Sequence, residues 1–372
     1  MIYRTYGRTG VSVSAIGFGG MRFAKPDDTD ACAALVRAAY DAGINYFDTA
    51  PGYGRSEEIF GAAFQSMKRS RARRPFHVAT KSFGGTPADL RRDLETSLSR
   101  MGLDAIDFFH VWCVMDPADW RERVDGGVLK ECERMRDEGL VRHVCVSSHM
   151  TGADIRAMLA EHDFEGLLLG YSVSNFAYRE EGLAAAAERG LGVAVMNPLA
   201  GGVIPQNRER FDFVRTRPDE TVAEAALRFL LNDPRITLAL VGFAREEEIR
   251  EAARAVDGFR PIPADAVGRI RSGLRASFDG LCTGCRYCEP CPAGIPVPKE
   301  MDAYNQYLLG GTPEKILDRL HWHWGIEAAD EPSSTCTDCG ACEERCTQKL
   351  PIRERLRAIG GHARRRAAAR NA

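Results

Sequence analysis

The sequence predicts an α/β chain in which a (β/α)8 TIM barrel is followed by a small, mainly helical module rich in cysteine. Three observations predict it. Over the first three quarters of the 372 residues, eight short apolar runs alternate with amphipathic helical patterns. No G-x-G-x-x-G stands at a strand-to-helix turn, which argues against an open dinucleotide-binding sheet. Beyond the last barrel pattern, eight of the twelve cysteines crowd into two bursts.

In order, the strands read as SAIGFG (14–19), NYFDT (45–49), HVATKS (77–82), IDFFHVW (106–112), VRHVCVSS (141–148), GLLLGYS (166–172), GVAVMN (192–197) and LALVG (238–242). Between them, segments such as DACAALVRAAYDAG, PADLRRDLETSLSRMG and VAEAALRFLLND place apolar residues at i, i+3 and i+4 and often end at glycine, as helices do. Eight such units within roughly 250 residues fit a closed barrel. The expected limits are 1–278 for the barrel, 279–355 for the cysteine module, and 356–372 for a basic tail with the composition of a disordered end.

Length and charge set further bounds. A chain this long buries one large core and carries a small extra module, and its net charge of -2 gives no global reason to expect nucleic acid. The tail is the exception: Arg353 to Arg370 holds seven arginines against one acid, Glu354, and reads either as a solvated end or as a site for an anionic partner. No stretch approaches the roughly 18 apolar residues of a membrane span, and the opening MIYRTYGRTG has no apolar h-region. A reducing cytoplasm and no membrane partner are therefore expected.

The bursts are CTGCRYCEPCP, with Cys282, Cys285, Cys288 and Cys291, and CTDCGACEERCT, with Cys336, Cys339, Cys342 and Cys346. Three thiolates spaced by two residues can turn inward on one loop and hold three irons of a cubane. The fourth cysteine of each burst then reaches across to the other cluster, as in two-cluster ferredoxins, which points to two [4Fe-4S] clusters. The first burst has two residues rather than three before its fourth cysteine, and the second ends in Thr347 where proline is usual. Two all-thiolate zinc sites are the competing reading, since structural zinc also takes paired C-x-x-C units. The remaining thiols, Cys32, Cys113, Cys132 and Cys145, are scattered singly, as buried hydrophobes are.

In a TIM barrel the chemistry sits at the C-terminal strand ends. The second strand ends at Asp48 and leads to Tyr53, the third ends near Lys81, and the fourth reaches His110. These four groups, from three neighbouring strands, can meet around one spot. Were such a group of residues to serve hydride transfer to a carbonyl, the reaction the resemblance described below implies, an acid would be needed at oxygen, because a bare alkoxide is costly in a dry pocket. A phenol with a pKa of about 10 becomes a better donor beside an ammonium, so Tyr53 is the acid, Lys81 its neighbouring charge, Asp48 the partner of Lys81, and His110 the group that orients the substrate oxygen. Singly, each has a structural reading as a turn aspartate, a snorkelling lysine or a core histidine. Phe23, Phe83 and Trp112 either line an apolar pocket or simply pack, and His321 to Trp324, HWHW, reads as a packed helix.

With these strand ends, and with YRTYGRTGVSVSAIGFGGMRF, FDTAPGYGRSEEIFG, VCVSSH and VMNPLAGG, the chain resembles the aldo-keto reductase superfamily over about residues 1 to 275. The cysteine region resembles the alpha-helical ferredoxin module fused to one branch of that superfamily. The resemblance implies NADPH or NADH as cofactor, with Ser147 and Ser148 at the nicotinamide carboxamide and Met196 where an aromatic usually stacks. It also implies that the segment from Gly242, with Arg245 and Glu248, receives the adenylyl end, while Leu168 stands where a glutamine is usual. An acidic Glu248 repels a 2'-phosphate and can accept from a ribose hydroxyl, so NADH stands beside NADPH. The expected function is NAD(P)H-dependent interconversion of a small-molecule carbonyl and alcohol, with the clusters passing electrons to or from a ferredoxin or flavoprotein partner. Two further readings stay open: a module that only docks or stiffens the chain, and a redox sensor whose basic tail binds a partner or nucleic acid.

Overall fold

The structure is a computed structural model; its described residues are 1–68, 72–173, 176–273, 280–327 and 335–370. A short antiparallel hairpin opens the chain, β1 (Tyr3–Thr5) with β2 (Ser12–Ser14), paired Tyr3 to Ser14 and Thr5 to Ser12. It was not legible as a separate pair, because SAIGFG reads as one apolar run. Eight parallel strands then close into a barrel: β3 (Ile16–Gly19), β4 (Tyr46–Asp48), β5 (His77–Ser82), β6 (Ile106–Val114), β7 (Val141–Ser148), β8 (Gly166–Gly170), β9 (Gly192–Met196) and β10 (Leu238–Val241), with β10 pairing back to β3. Every expected barrel strand is present.

Helices follow the strands as the periodicity predicts. Among them, α1 (Thr29–Asp41) is capped by the Asp28 carboxylate, α2 (Ser56–Met67) follows the Tyr53 loop, and α3 (Pro87–Met101) starts at Thr86 with proline in its first turn and stops at Gly102 in the left-handed region. Each cap satisfies helix-end groups that water would otherwise have to reach.

The barrel interior is a packed core of alternating strand residues, including Tyr46, Ala79, Phe108, Cys145, Leu168, Ala194 and Leu238. Tyr6, just past β1, lies fully buried in it with its ring 4.4 Å from Phe108 and 5.9 Å from Tyr46. Room for that ring comes from missing side chains: a Cβ on Gly192 would fall 2.1 Å from Tyr6 and one on Gly166 2.6 Å from its hydroxyl. The N-terminal segment therefore plugs the barrel at the end opposite the C-terminal strand ends.

The contacts divide the chain into two compact units, residues 1–199 with 211–269, and residues 200–210 with 270–372. The expected boundary at residue 278 falls outside the described residues. In the second unit α4 (Val297–Leu308), α5 (Pro313–Trp324), α6 (Ala341–Glu344) and α7 (Ile352–Arg370) surround Met301, Ile316, Leu320, Leu350, Leu356 and Ile359. Up to residue 370 the basic tail is thus a helix, where a disordered end was expected. Ile352, Leu356, Ile359 and Ala363 recur at helical spacing and are buried, and that apolar stripe outweighs the charge in deciding its state. No described helix is long and apolar enough to cross a membrane.

Candidate active site and cysteine centre

Asp48 is the last residue of β4, Lys81 the last but one of β5, and His110 lies on β6 directly beside Lys81 in register. The loop after Asp48 turns back at Tyr53 through Tyr53 N–H to Ala50 O and Ser56 N–H to Tyr53 O, with Gly54 at φ +59° making the turn. These elements bring all four predicted groups together.

Lys81 is the centre of the arrangement. Its Nζ is buried and donates to both Asp48 oxygens, at 2.8 and 2.7 Å, and to Thr49 O at 2.7 Å. Three acceptors match the three protons of an ammonium. The same nitrogen stands 5.0 Å from the Tyr53 ring centroid and 6.0 Å from Trp112. Burial lowers the Lys81 ammonium below its ordinary value and raises the Asp48 carboxyl above its own, while each charge offsets part of the other's shift.

His110 is fully buried, and burial together with the Lys81 charge pushes it down to about 3. Its ring is neutral at any ordinary pH. Nδ1 lies 3.4 Å from Thr80 O, and Nε2 is buried with no protein hydrogen-bond partner among the described residues. With the proton on Nδ1, Nε2 accepts from an alcohol; in the other tautomer it donates to a carbonyl. The contact to Thr80 O, which can only accept, favours the proton on Nδ1.

Three rings shape the wall beside Tyr53. Trp112 meets Tyr53 edge to face at 5.4 Å and stacks on Phe83 at 3.7 Å. The β6 register shifts between Val111 and Val114, where Cys113 takes φ +60°, so a bulge directly follows Trp112. Phe23 takes the other reading: it packs on Phe18 and Phe60 at 5.6 and 5.8 Å, apart from this wall.

Two supporting residues escaped the sequence reading. Thr49 contributes through its backbone oxygen, which no side-chain motif can reveal. Glu57, fully buried on α2, accepts from Thr80 Oγ1 at 3.1 Å, Ser97 Oγ at 2.6 Å and Arg100 at 3.1 Å, and its charge also favours the Lys81 ammonium. The only signal for it was a carboxylate four residues after Tyr53 on what becomes an inward helix face.

The expected nicotinamide contacts separate. Ser147 Oγ is buried at the end of β7 with no protein hydrogen-bond partner among the described residues, as a group kept for a ligand would be. The neighbouring Ser148 hydroxyl is already spent, donating to Val114 O at 3.2 Å and accepting from Met150 N–H. Met196 ends β9 half-buried, and Leu168 is a barrel-core residue opposite Ser147. Gly242 follows β10, where a Cβ would meet Gly19 O at 3.5 Å. Glu248 accepts from Ala244 N–H at 2.7 Å and pairs with Arg245 at 3.1 Å. With Glu246 and Glu247 beside it, the helix start at residue 246 carries negative charge.

In the second unit, Cys346 lies within electrostatic reach of Cys282, Cys285 and Cys288, and Cys336 within reach of Cys342. Cys291 packs with Cys336 against the same core. The first three cysteines of one burst thus gather with the fourth of the other. Gly284 N–H donates to Cys282 Sγ and Leu350 N–H to Cys346 Sγ, both at 3.4 Å, as amides do around sulfur ligands. Burial pushes the Cys282 thiol up to about 12 and Cys342 up to about 11, so a bound cation would be needed to hold them as thiolates. Among the described residues no three such side chains converge as on a single metal ion. The HWHW run ends α5: Trp324 donates to Asp302 at 2.8 Å and His321 pairs with Glu327 at 2.7 Å. The side chains of Trp322 and His323 are outside the described residues.

Residues 15–274 match the model of the aldo/keto reductase family. The chain belongs to that family. Residues 281–350 match a 4Fe-4S dicluster domain. This aldo/keto reductase is 28% identical to the uncharacterized oxidoreductase YrpG of Bacillus subtilis, over 69% of this chain and 91% of the relative. It is 29% identical to a D-threo-aldose 1-dehydrogenase of Pseudomonas over 55% and 71%, and 25% identical to the L-galactose dehydrogenase of Arabidopsis thaliana over 70% and 90%. An aldo-keto reductase structure from Bacillus halodurans, at 22% identity, shares the fold with a TM-score of 0.64 over 74% of this chain and 97% of its own.

Proposed function

We propose that this aldo/keto reductase interconverts an aldehyde or ketone and the corresponding alcohol by hydride transfer, using Tyr53 as general acid and base, and that its second unit holds two [4Fe-4S] clusters. The observation that carries the reading is the buried Lys81 ammonium, held on Asp48 and Thr49 O while it faces the Tyr53 ring.

A bound nicotinamide supplies or accepts the hydride. Ser147 would hold its carboxamide, with Ser148 fixing the adjoining backbone, and Met196, Gly242, Arg245 and Glu248 would border the rest. In the reduction direction Tyr53 gives its proton to the substrate oxygen, and the Lys81 charge stabilises the phenolate left behind. In the oxidation direction that phenolate takes the alcohol proton. Asp48 keeps Lys81 aimed and charged, and neutral His110 aligns the substrate oxygen through Nε2. Trp112 and Phe83 exclude water from one side, which suits an apolar or sugar-ring face. Two of the relatives bear the names of aldose and galactose dehydrogenases, which agrees with a hydroxyl-bearing substrate.

The acidic helix start at residue 246, and the pairing of Arg245 with Glu248, favour NADH over NADPH, because a 2'-phosphate would meet carboxylates there. Cys282, Cys285, Cys288 and Cys346 would hold one cluster, and Cys336, Cys339, Cys342 and Cys291 the other. Each passes one electron at a time, so a ferredoxin or a flavoprotein is the partner class. The redox-sensor reading finds less support: Arg353, Arg357 and Arg366 of the tail are paired with Glu343, Asp338 and Asp318, which lowers the charge offered to nucleic acid.

The test is anaerobic purification with iron and sulfide analysis, then a carbonyl panel with both nicotinamides on wild type and Tyr53→Phe. Loss of turnover by roughly 100- to 10,000-fold in the variant, with NADH binding kept, is expected. An equal rate in the variant removes Tyr53 from the role.

A further inference from the structure

Thr347 occupies the position after the fourth cysteine where bacterial cluster runs carry proline, a residue with nothing to donate. It is fully buried, and its Oγ1 lies 3.3 Å from Cys285 Sγ. Covalently it adjoins Cys346. The hydroxyl therefore touches two of the four thiols expected on one cluster, one through the chain and one through space.

The direction of that contact follows from proton counting. A cysteine bound to iron is a thiolate and has no proton to give, so the hydroxyl is the donor. Gln348 Nε2 donates to the same Oγ1 at 3.4 Å, an acceptor role that a hydroxyl combines with donation to a sulfur. A hydrogen bond to a ligand sulfur is worth more once the cluster has gained an electron, because the added negative charge spreads onto its sulfurs. Such bonds are among the determinants of cluster potential.

We infer that Thr347 raises the reduction potential of the cluster held by Cys282, Cys285, Cys288 and Cys346. The inference rests on the two-cluster reading above. The amides of Gly284 and Leu350 act on Cys282 and Cys346 in the same sense, but any residue type supplies an amide; the hydroxyl is what this sequence adds. Reduction is a one-electron step in which no bond forms or breaks.

The full chain, purified anaerobically with its iron and sulfide measured, is titrated with dithionite as electron donor and followed by EPR. Wild type is compared with Thr347→Val, which keeps the shape and removes the donor, and with Thr347→Ser, which restores it. The expected result is two reduction waves, of which one moves to lower potential in Thr347→Val, returns in Thr347→Ser, and leaves the other wave in place at equal iron content. Thr347→Ala is the second donor-less variant should valine reduce cluster occupancy. Waves that coincide in all proteins at full iron content overturn the role of Thr347 alone. A wild-type chain that takes up no iron and sulfide overturns the two-cluster reading itself.

Discussion

Replacing Asp48 by asparagine removes one charge and almost no volume, which makes it the sharpest probe of the proposed site. Lys81 is 1% exposed, and Asp48 is the carboxylate that binds its Nζ directly. Breaking a buried pair from one side costs about 3 to 5 kcal/mol, because the remaining charge stays out of water. Lys81 can avoid that cost by losing its proton. Without the Asp48 charge to offset burial, its titration then moves further down. The native variant binds fewer protons than the unfolded chain from that lowered value up to the ordinary lysine value of 10.5, so its stability rises with pH across this window more steeply than wild type. A neutral lysine also no longer favours the Tyr53 phenolate, and turnover at pH 7 falls by roughly 100-fold or more. Urea unfolding between pH 6 and 10, alongside initial rates, reads both effects. Parallel stability curves for the two proteins, or an undiminished rate, would refute the reasoning.

Other outcomes follow from the same arrangement of residues. Ser147→Ala should weaken nicotinamide binding by about 0.5 to 1.5 kcal/mol, measured by fluorescence titration, while Ser148→Ala chiefly lowers stability, because its hydroxyl is bonded within the protein. Gly192→Ala should destabilise the barrel by about 1 to 3 kcal/mol or more in urea, since its Cβ collides with the Tyr6 ring. His110 titrates near 3 in the native state against 6.5 unfolded, so the unfolded chain binds more protons between these values. Stability is therefore lost as pH falls from about 6.5 toward 3, and a His110→Gln variant, followed by thermal melts, should lose less.

Local pattern was enough for much of this. Alternating apolar runs and helix-stop glycines already identify eight strand-helix units, since periodicity of burial is a property of neighbouring residues. The spacing of the eight cysteines likewise announces iron-sulfur chemistry, and Asp48, Tyr53, Lys81 and His110 are legible because a closed barrel gathers its strand ends. Failures of the sequence reading have equally physical causes. The tail looked unstructured because arginine counts hide an apolar stripe whose value appears only when Met301 and Ile316 are there to cover it.

What the sequence by itself determined is therefore the order of elements and the chemical types at the strand ends. Tertiary structure alone decided which polar atoms remain available. Ser147 keeps its hydroxyl while Ser148 spends it on Val114, and Glu248 takes Arg245 as a partner. It also brought Glu57 behind Thr80 and Thr347 against Cys285, contacts between residues 23 and 62 positions apart. Hydrogen bonds depend on distances of a few ångströms in space, and no local pattern encodes those for groups so remote along the chain.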